Sequence, residues 1–358
     1  MTEYSEILQI PPYSLEREEK QKLMTERLRE LAQFHYENCQ EYRNMADMLG
    51  WNLQPESYEE LPFVPVRLFK ELELKSVPQE ELFKTMTSSG TTGQQVSKIF
   101  LDKETANNQQ KTLVKIMSSF TGKGRLPMLI IDSSAVLKDR KMFSARGAGI
   151  LGFSILASDR AYALDENMNL DLEGIRAFLK KHEGKPVLLF GFTFMIWQHF
   201  YKALLESGET LDLSQGILIH GGGWKKLQNE KVEPAEFNRA LEQVCGLKRV
   251  HDYYGMVEQT GCVYMECECG HLHASIFSDV ITRRSRDFSV CDVGEKGMIQ
   301  VVSMIPKSYP GFSILTEDEG VILGEDDCPC GRKGKYFKIV GRLKHAEVRG
   351  CSDTYERK

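Results

Sequence analysis

The sequence predicts an α/β protein in which a largely parallel sheet is covered by helices and followed by a smaller β-rich subdomain. Two observations carry this. From Met128 to Tyr253, apolar runs of strand length alternate with stretches of helical apolar spacing, the rhythm of βαβ crossovers. After Gly261 the pattern changes to short apolar runs separated by turn residues, which reads as strands joined by turns. At 358 residues the chain is long enough for more than one compact unit.

Taken in order, Ser14 to Tyr42 is polar with Leu23, Leu28, Leu31 and Phe34 at helical spacing, and predicts an amphipathic helix. Pro62, Pro65 and Pro78 then impose an irregular stretch. Phe83–Met86 and Lys98–Leu101 read as two strands flanking a Ser/Gly/Thr loop. Strands are expected at Met128–Ile131, Ser154–Ala157, Val187–Phe190, Ile217–His220 and Val250–Tyr253. Helices are expected at Lys103–Phe120, Leu170–His182, Phe194–Ser207 and Pro234–Val244. Met298–Met304, Ser313–Thr316 and Val321–Leu323 are the strands of the β-rich part. The expected organisation is an N-terminal helical region (1–80), an α/β core (81–260), a β-rich subdomain (261–340) and a short tail (341–358).

Composition narrows the function. With 41% hydrophobic and 27% charged residues the chain has the make-up of a soluble globular protein. A formal net charge of -5 argues against a non-specific nucleic-acid binder. The first residues carry no basic end and no apolar stretch, and the longest apolar run, around Pro186–Trp197, is too short to span a bilayer. A cytoplasmic protein is expected. Its nine cysteines, several in Cys-x-Cys pairs, then favour metal or thiol chemistry over disulfides.

Five segments carry chemistry. Ser88-Ser89-Gly90-Thr91-Thr92-Gly93 offers backbone N–H groups and hydroxyls to an anion, though it lacks the Gly-Lys-Ser/Thr ending of a Walker A loop. Ile217–Trp224 runs as an apolar strand into Gly221, Gly222 and Gly223. At the carboxyl edge of an open sheet such glycines let a flat ring approach the backbone, or simply make a tight turn. Tyr254 and Gly255, with Glu258 four residues after the tyrosine, supply an aromatic to stack on a base and a carboxylate for Mg²⁺. Asp318, read as following a strand, can accept hydrogen bonds from ribose hydroxyls. Finally, Cys267-Glu268-Cys269-Gly270-His271-Leu272-His273, with Cys328-Pro329-Cys330, offers more thiolate and imidazole donors than the four places of a structural Zn²⁺ site require.

In this order the motifs resemble those of adenylate-forming enzymes, such as the acyl-CoA synthetases and phenylacetate-CoA ligases. The resemblance makes Ser88–Gly93 the phosphate loop, Tyr254–Glu258 the Tyr-Gly-x-x-Glu segment, Asp318 the ribose aspartate and Arg342 the arginine beside the interdomain hinge. A closer match covers nearly the whole chain. The Pro62–Lys70 run, the Ser/Gly/Thr loop, His220–Lys225 and Gly341–Thr354 resemble the LuxE acyl-protein synthetase family. In phenylacetate-CoA-ligase-like relatives the zinc pattern matches Cys267, His273, Cys328 and Cys330. Only sixteen residues follow Arg342, so the C-terminal lid domain of ordinary ligases is expected to be absent or reduced to a tail.

The resemblance implies an enzyme that activates a carboxylic, by family a fatty, acid with MgATP and passes the acyl group to a cysteine. Cys351 would carry it before a partner acyl reductase of the LuxC type receives it. Glu258, Thr91 and Thr92 would serve the adenylation step, Tyr254 and Gly221–Gly223 would frame adenine, and Asp318 and Arg342 the ribose. ATP, Mg²⁺ and a structural Zn²⁺ are the implied cofactors. Two other readings stand beside it: a stand-alone acyl- or aryl-CoA ligase, and a zinc-stabilised nucleotide-binding module without turnover.

Overall fold

Residues 3–88, 95–138 and 145–343 are described by a computed structural model of the chain. They form two compact units. The first joins the chain up to Ile116 with the stretch from Gly255 onward, and the second runs Met117–Tyr254.

In chain order, β1 (Val64–Pro65), β2 (Leu82–Thr87) and β3 (Lys98–Asp102) belong to the first unit. The second holds β4 (Leu126–Ser133), β5 (Ala157–Leu164), β6 (Leu188–Phe192), β7 (Ile217–Gly221) and β8 (Arg249–Tyr254). The chain then returns to the first unit with β9 (Tyr264–Glu266), β10 (Leu272–His273), β11 (Ser278–Arg283), β12 (Lys296–Ser303), β13 (Ser313–Glu325) and β14 (Lys335–Arg342).

The second unit is a parallel sheet in the order β5-β4-β6-β7-β8. Every residue of β6 and β7 is buried, as expected of central strands covered on both faces. Leu129, Ile131, Leu189 and Leu218 from the strands pack with Ile196, Phe200, Phe237 and Leu241 from the helices. Each such side chain contributes about 1.5–3 kcal/mol on burial. Trp197 lies in this core, 5.3 Å from Trp224 and 5.9 Å from Phe237 between ring centroids. The helix Leu172–Lys181 is capped by Asp171, which accepts from the Gly174 N–H at 2.9 Å.

Two expectations change here. The strand expected at Ser154–Ala157 is a short 3₁₀ turn, Ser154–Leu156, and the strand proper begins at Ala157. The Ser154 hydroxyl donates back to the Ile150 carbonyl at 2.6 Å and so continues the preceding helix Ala145–Phe153. The helix expected over Phe194–Ser207 contains a π-helical stretch, Ile196–Tyr201, flanked by α-helical turns.

The first unit is mainly antiparallel, in the order β11-β12-β13-β14-β10-β9, with β1 pairing parallel to β13 and β2–β3 forming a separate hairpin. The N-terminal helix is shorter than expected, Arg17–Asn38. The chain turns extended at Cys39 and re-enters helix at Gln40–Leu49. A buried charge network ties this helix to the sheet. Lys20 Nζ lies 3.4 Å from Asp279, and Lys335 Nζ lies 3.7 Å from Asp279 and 2.5 Å from Glu59. The Tyr58 hydroxyl donates to the same aspartate. Burial alone would raise the Asp279 carboxyl; Lys20 and Lys335 outweigh it and hold the group below its usual range.

The expected pair of strands at Ser313–Thr316 and Val321–Leu323 is one thirteen-residue strand, β13, with Asp318 inside it. The acidic Glu317-Asp318-Glu319-Gly320 run reads as a turn, but its partners across the ladder keep it extended. A register shift between Glu319 and Gly320 absorbs the irregularity. Gly320 is required there, because a Cβ would fall 2.6 Å from Ile299 and 2.8 Å from the Lys338 carbonyl.

Candidate functional site

Of the phosphate-loop residues, Ser88 is the first and the only one within the described residues; Ser89, Gly90, Thr91, Thr92 and Gly93 lie outside them, as does Cys351. Ser88 closes the neck of the loop. Its N–H donates to the Ser97 carbonyl at 3.1 Å, and its hydroxyl accepts from the Ser97 N–H at 2.9 Å. Lys98, the next residue along, is directed to Glu73 at 3.5 Å.

In the second unit, the glycines expected to admit a flat ring end β7. A Cβ on Gly221 would fall 2.7 Å from the Tyr253 ring, and one on Gly222 would fall 2.6 Å from Phe192. The protein's own aromatic rings therefore cover these two backbones. Gly223 alone has open space around its Cα, at a φ of +65°. The Thr193 hydroxyl donates to the Gly221 carbonyl at 3.1 Å and accepts from His220 Nδ1 at 3.0 Å. Burial pushes His220 down to about 3, so the ring is neutral and fixes the turn as a hydrogen-bond donor. Tyr254 is the last residue of β8, half-buried, and Gly255 follows it.

In the first unit, Glu258 occupies the 3₁₀ turn Val257–Gln259 and is fully buried. Its backbone carbonyl accepts from the Tyr309 hydroxyl at 2.8 Å. Gln259 anchors the turn by donating from Nε2 to the Gly311 carbonyl at 2.9 Å and the Val301 carbonyl at 3.1 Å. Neither carboxylate oxygen of Glu258 has a hydrogen-bond partner among the described residues. A buried carboxylate left so is costly unless a cation or donor meets it.

Also in this unit, Asp318 and Arg342 stand opposite each other across β13 and β14. Arg342 Nε lies 3.3 Å from Asp318, and its Nη2 donates to Glu317 at 3.2 Å.

Four of the metal-type residues converge. Ligand atoms of Cys267, His273, Cys328 and Cys330 all lie within 4.8 Å of one another. Cys267 and His273 come from the β9–β10 hairpin, where Gly270, at a φ of +74°, allows the tight return. Cys328 and Cys330 come from the turn between β13 and β14, which the Gly331 N–H closes on the Cys328 carbonyl at 2.9 Å. Cys269 is exposed, while His271 approaches Cys328 Sγ at 3.4 Å from outside the four. Burial pushes the Cys328 thiol up to about 12 and the His273 ring down to about 4. Burial would also raise Cys330, but hydrogen bonds from the backbone and guanidinium of Arg332 outweigh it and lower that thiol.

Sequence reasoning missed Gln109 and Tyr309, which pack beside the Glu258 turn. The run Asn107-Asn108-Gln109-Gln110 reads as a solvated helix surface, and only the tertiary contact shows that one of the four is buried.

The sequence profile described as "Acyl-protein synthetase, LuxE" matches residues 2–358. The chain belongs to the LuxE family of acyl-protein synthetases. It is accordingly a ligase. This LuxE-family chain is 24% identical over 347 residues to the long-chain-fatty-acid–luciferin-component ligase of Vibrio harveyi, covering 93% of itself and 88% of that protein. It is likewise 24% identical over 348 residues to the ligase of the same name from Aliivibrio fischeri, covering 94% of itself and 88% of the relative. Its fold is that of a crystallised 2-hydroxyisobutyryl-CoA ligase, with a TM-score of 0.72 at 15% identity, covering 93% of this chain and 72% of the other. The adenylate-forming fold expected from the motif order is thus found. No helix among the described residues is long and apolar enough to cross a membrane.

Proposed function

We propose that this LuxE-family ligase activates a long-chain fatty acid with MgATP and then moves the acyl group to a thiol. In the first step a carboxylate oxygen attacks the α-phosphorus of ATP, the bond to the pyrophosphate oxygen breaks, and acyl-adenylate forms. In the second a cysteine thiolate attacks the acyl carbon, a thioester forms, and AMP leaves with the bonding electrons. Cys351 is the carrier in this reading, and the cysteine of a partner acyl reductase of the LuxC type is the final acceptor. The relatives' names support the fatty acid.

The observation that carries the reading is the Glu258 carboxylate, fully buried with both oxygens unpartnered among the described residues. A carboxylate oxygen is a ligand that a hard divalent cation takes beside water and phosphate oxygens. Mg²⁺, when bound, supplies positive charge against the polyphosphate. Glu258 would hold it, the Tyr309 and Gln259 contacts fix the turn that presents it, and Asp318 and Arg342 would engage the ribose. Tyr254 and the open Gly223 are the residues offered to the base. The Ser88–Gly93 loop, with Thr91 and Thr92, would take phosphate oxygens.

The four-residue cluster fits zinc on its own geometry. Tetrahedral zinc with bonds of about 2.3 Å to sulfur sets sulfurs about 3.8 Å apart; Cys267 and Cys328 Sγ stand 3.9 Å apart. Three crowded thiols, two of them raised by burial, have a cation as their natural partner. Cys267, His273, Cys328 and Cys330 would hold it, and zinc there supplies a structural cross-link between the β9–β10 hairpin and the β13–β14 turn.

ATP–pyrophosphate exchange over a series of fatty acids tests the reading, with Glu258→Gln as control. The wild type is expected to exchange with long-chain acids, and the variant to lose at least about 100-fold while melting no lower. Exchange in the wild type only with short or aromatic acids would favour a CoA ligase. Full exchange in Glu258→Gln would place the cation elsewhere.

A further inference from the structure

The zinc site uses Cys267, His273, Cys328 and Cys330 and leaves Cys269 and His271 over. Their place shows when each sulfur is followed outward. Every one of the three sulfurs is met by the backbone N–H two residues further along the chain. The Cys269 N–H donates to Cys267 Sγ at 3.4 Å. The Cys330 N–H donates to Cys328 Sγ, and the Arg332 N–H to Cys330 Sγ. Cys269 thus serves the cluster through its backbone, while its side chain is exposed.

Two side chains add to these contacts. His271 Nδ1 lies 3.4 Å from Cys328 Sγ. Its ring is held by stacking on Tyr336, with centroids 4.9 Å apart and planes at 23°. The Arg332 guanidinium bonds to Cys330 Sγ. It is held in turn by Glu268, to which it donates at 2.5 and 3.2 Å, and its side chain is only 15% exposed. All these residues belong to the first unit.

Charge gives such donors a purpose. Cysteines bind a metal as thiolates. The three thiolates and one neutral imidazole of this cluster, placed around a divalent cation, leave one negative charge in excess. Arg332 is positive and sits against one of those sulfurs. A thiolate carries no proton to donate, so the His271 nitrogen that faces Cys328 must carry the N–H. Groups that hydrogen-bond to ligands in this way fix the direction of the ligand atoms and tune their hold on the metal.

We propose that His271 and Arg332 are positioning residues of the metal site. His271 donates from Nδ1 to the Cys328 thiolate, Arg332 donates from its guanidinium to the Cys330 thiolate, and neither binds the cation. The proposal rests on the zinc reading given above.

The test uses the full chain in two loaded forms. Zinc release to excess chelator is timed in one, and visible and near-ultraviolet absorption is recorded for the chain produced with Co²⁺ in place of Zn²⁺. His271→Phe keeps a ring for Tyr336 and removes the donor. Arg332→Met keeps the apolar stem and removes the guanidinium. Each variant is expected to release zinc at least about tenfold faster. Each should also move the sulfur-to-cobalt charge-transfer band to lower energy, because a thiolate that loses a hydrogen bond gives up its electron more readily. The ligand-field bands should remain those of the wild-type, four-coordinate site. Loss of packing alone would lower the melting temperature and leave the charge-transfer band in place, so a band unmoved in both variants overturns the proposal. Changed ligand-field bands in His271→Phe also overturn it, since His271 would then be a ligand. Should Arg332→Met fail to fold, Arg332→Lys replaces it. A single ammonium in place of the fork should move the band the same way by less, and an unmoved band removes Arg332. The two failures separate. A wild type that holds neither Zn²⁺ nor Co²⁺ removes the zinc reading itself. A wild type that holds both, with the variants unchanged in release and in spectrum, removes only the role of the two donors.

Discussion

Asp318 and Arg342 face each other across the β13–β14 ladder, 3.3 Å apart, with Arg342 also bonded to Glu317. The residue that resembles a ribose ligand and the residue that resembles a hinge arginine are thus a cross-strand pair. Strand pairing alone sets their separation, so neither can shift without the other. Their side chains are 22% and 35% exposed, and a pair so placed contributes under about 1 kcal/mol to stability.

A charge swap separates binding from strapping. Arg342→Gln should leave the melting temperature nearly unchanged and weaken nucleotide binding at least about tenfold, the worth of a charge-assisted contact. The double variant Asp318→Arg with Arg342→Asp restores the cross-strand pair. It should not restore nucleotide affinity, and recovery of binding in the swap would show that the pair only holds the strands together.

The metal cluster gives a second expectation. Metal analysis should find one zinc per chain, and Cys328→Ser or chelation should lower the melting temperature of the first unit and expose the β13–β14 turn to protease. Because structural metal binding is folding energy, the loss should appear in stability before it appears in pyrophosphate exchange. Purified protein without zinc would end the assignment.

How much of this was legible beforehand differs from element to element. β6 and β7 could be read because central parallel strands are apolar on both faces, and Leu188–Phe192 and Ile217–Gly221 show it directly. Asp318 could not be placed in a strand, because Glu-Asp-Glu-Gly has turn composition and only the facing β14 keeps it extended. The choice among Cys267, Cys269, His271 and His273 was open for a related reason. Side chains two apart on a strand share a face, so spacing makes each pair equivalent until the turn at Gly270 sets which members join Cys328 and Cys330 in one cluster. Gln109 was illegible altogether, since local sequence does not say which side of a polar helix is covered.

Asp279 predicts an acid-side transition. Its folded-state carboxyl is held below the usual carboxylate range, so its contribution is complete above that range and is lost as pH falls through the lowered value. Asp279→Asn leaves Lys20 and Lys335 buried beside a neutral group and should cost about 3–5 kcal/mol at neutral pH. Stability of the variant should fall less steeply on acidification than that of the wild type, measured by urea unfolding across pH 3–7. Parallel curves would show that the aspartate is not the group responsible.

Cys351 carries the last prediction. It lies outside the described residues. It stands in the Gly341–Thr354 segment that resembles the LuxE family, two residues after Arg349, whose charge favours thiolate. Ten residues separate it from Gly341, a length that spans roughly 33 Å when extended. A chain of that reach can take an acyl group from its adenylate and offer it to a second protein. Cys351→Ser should therefore keep pyrophosphate exchange, which needs only the adenylation step, and lose covalent labelling of the chain by radioactive fatty acid and ATP. Hydroxylamine sensitivity of the wild-type label would identify the bond as a thioester. Labelling that survives in Cys351→Ser assigns the carrier role to another cysteine. A wild type that never labels, and releases AMP only when coenzyme A is added, is instead a CoA ligase.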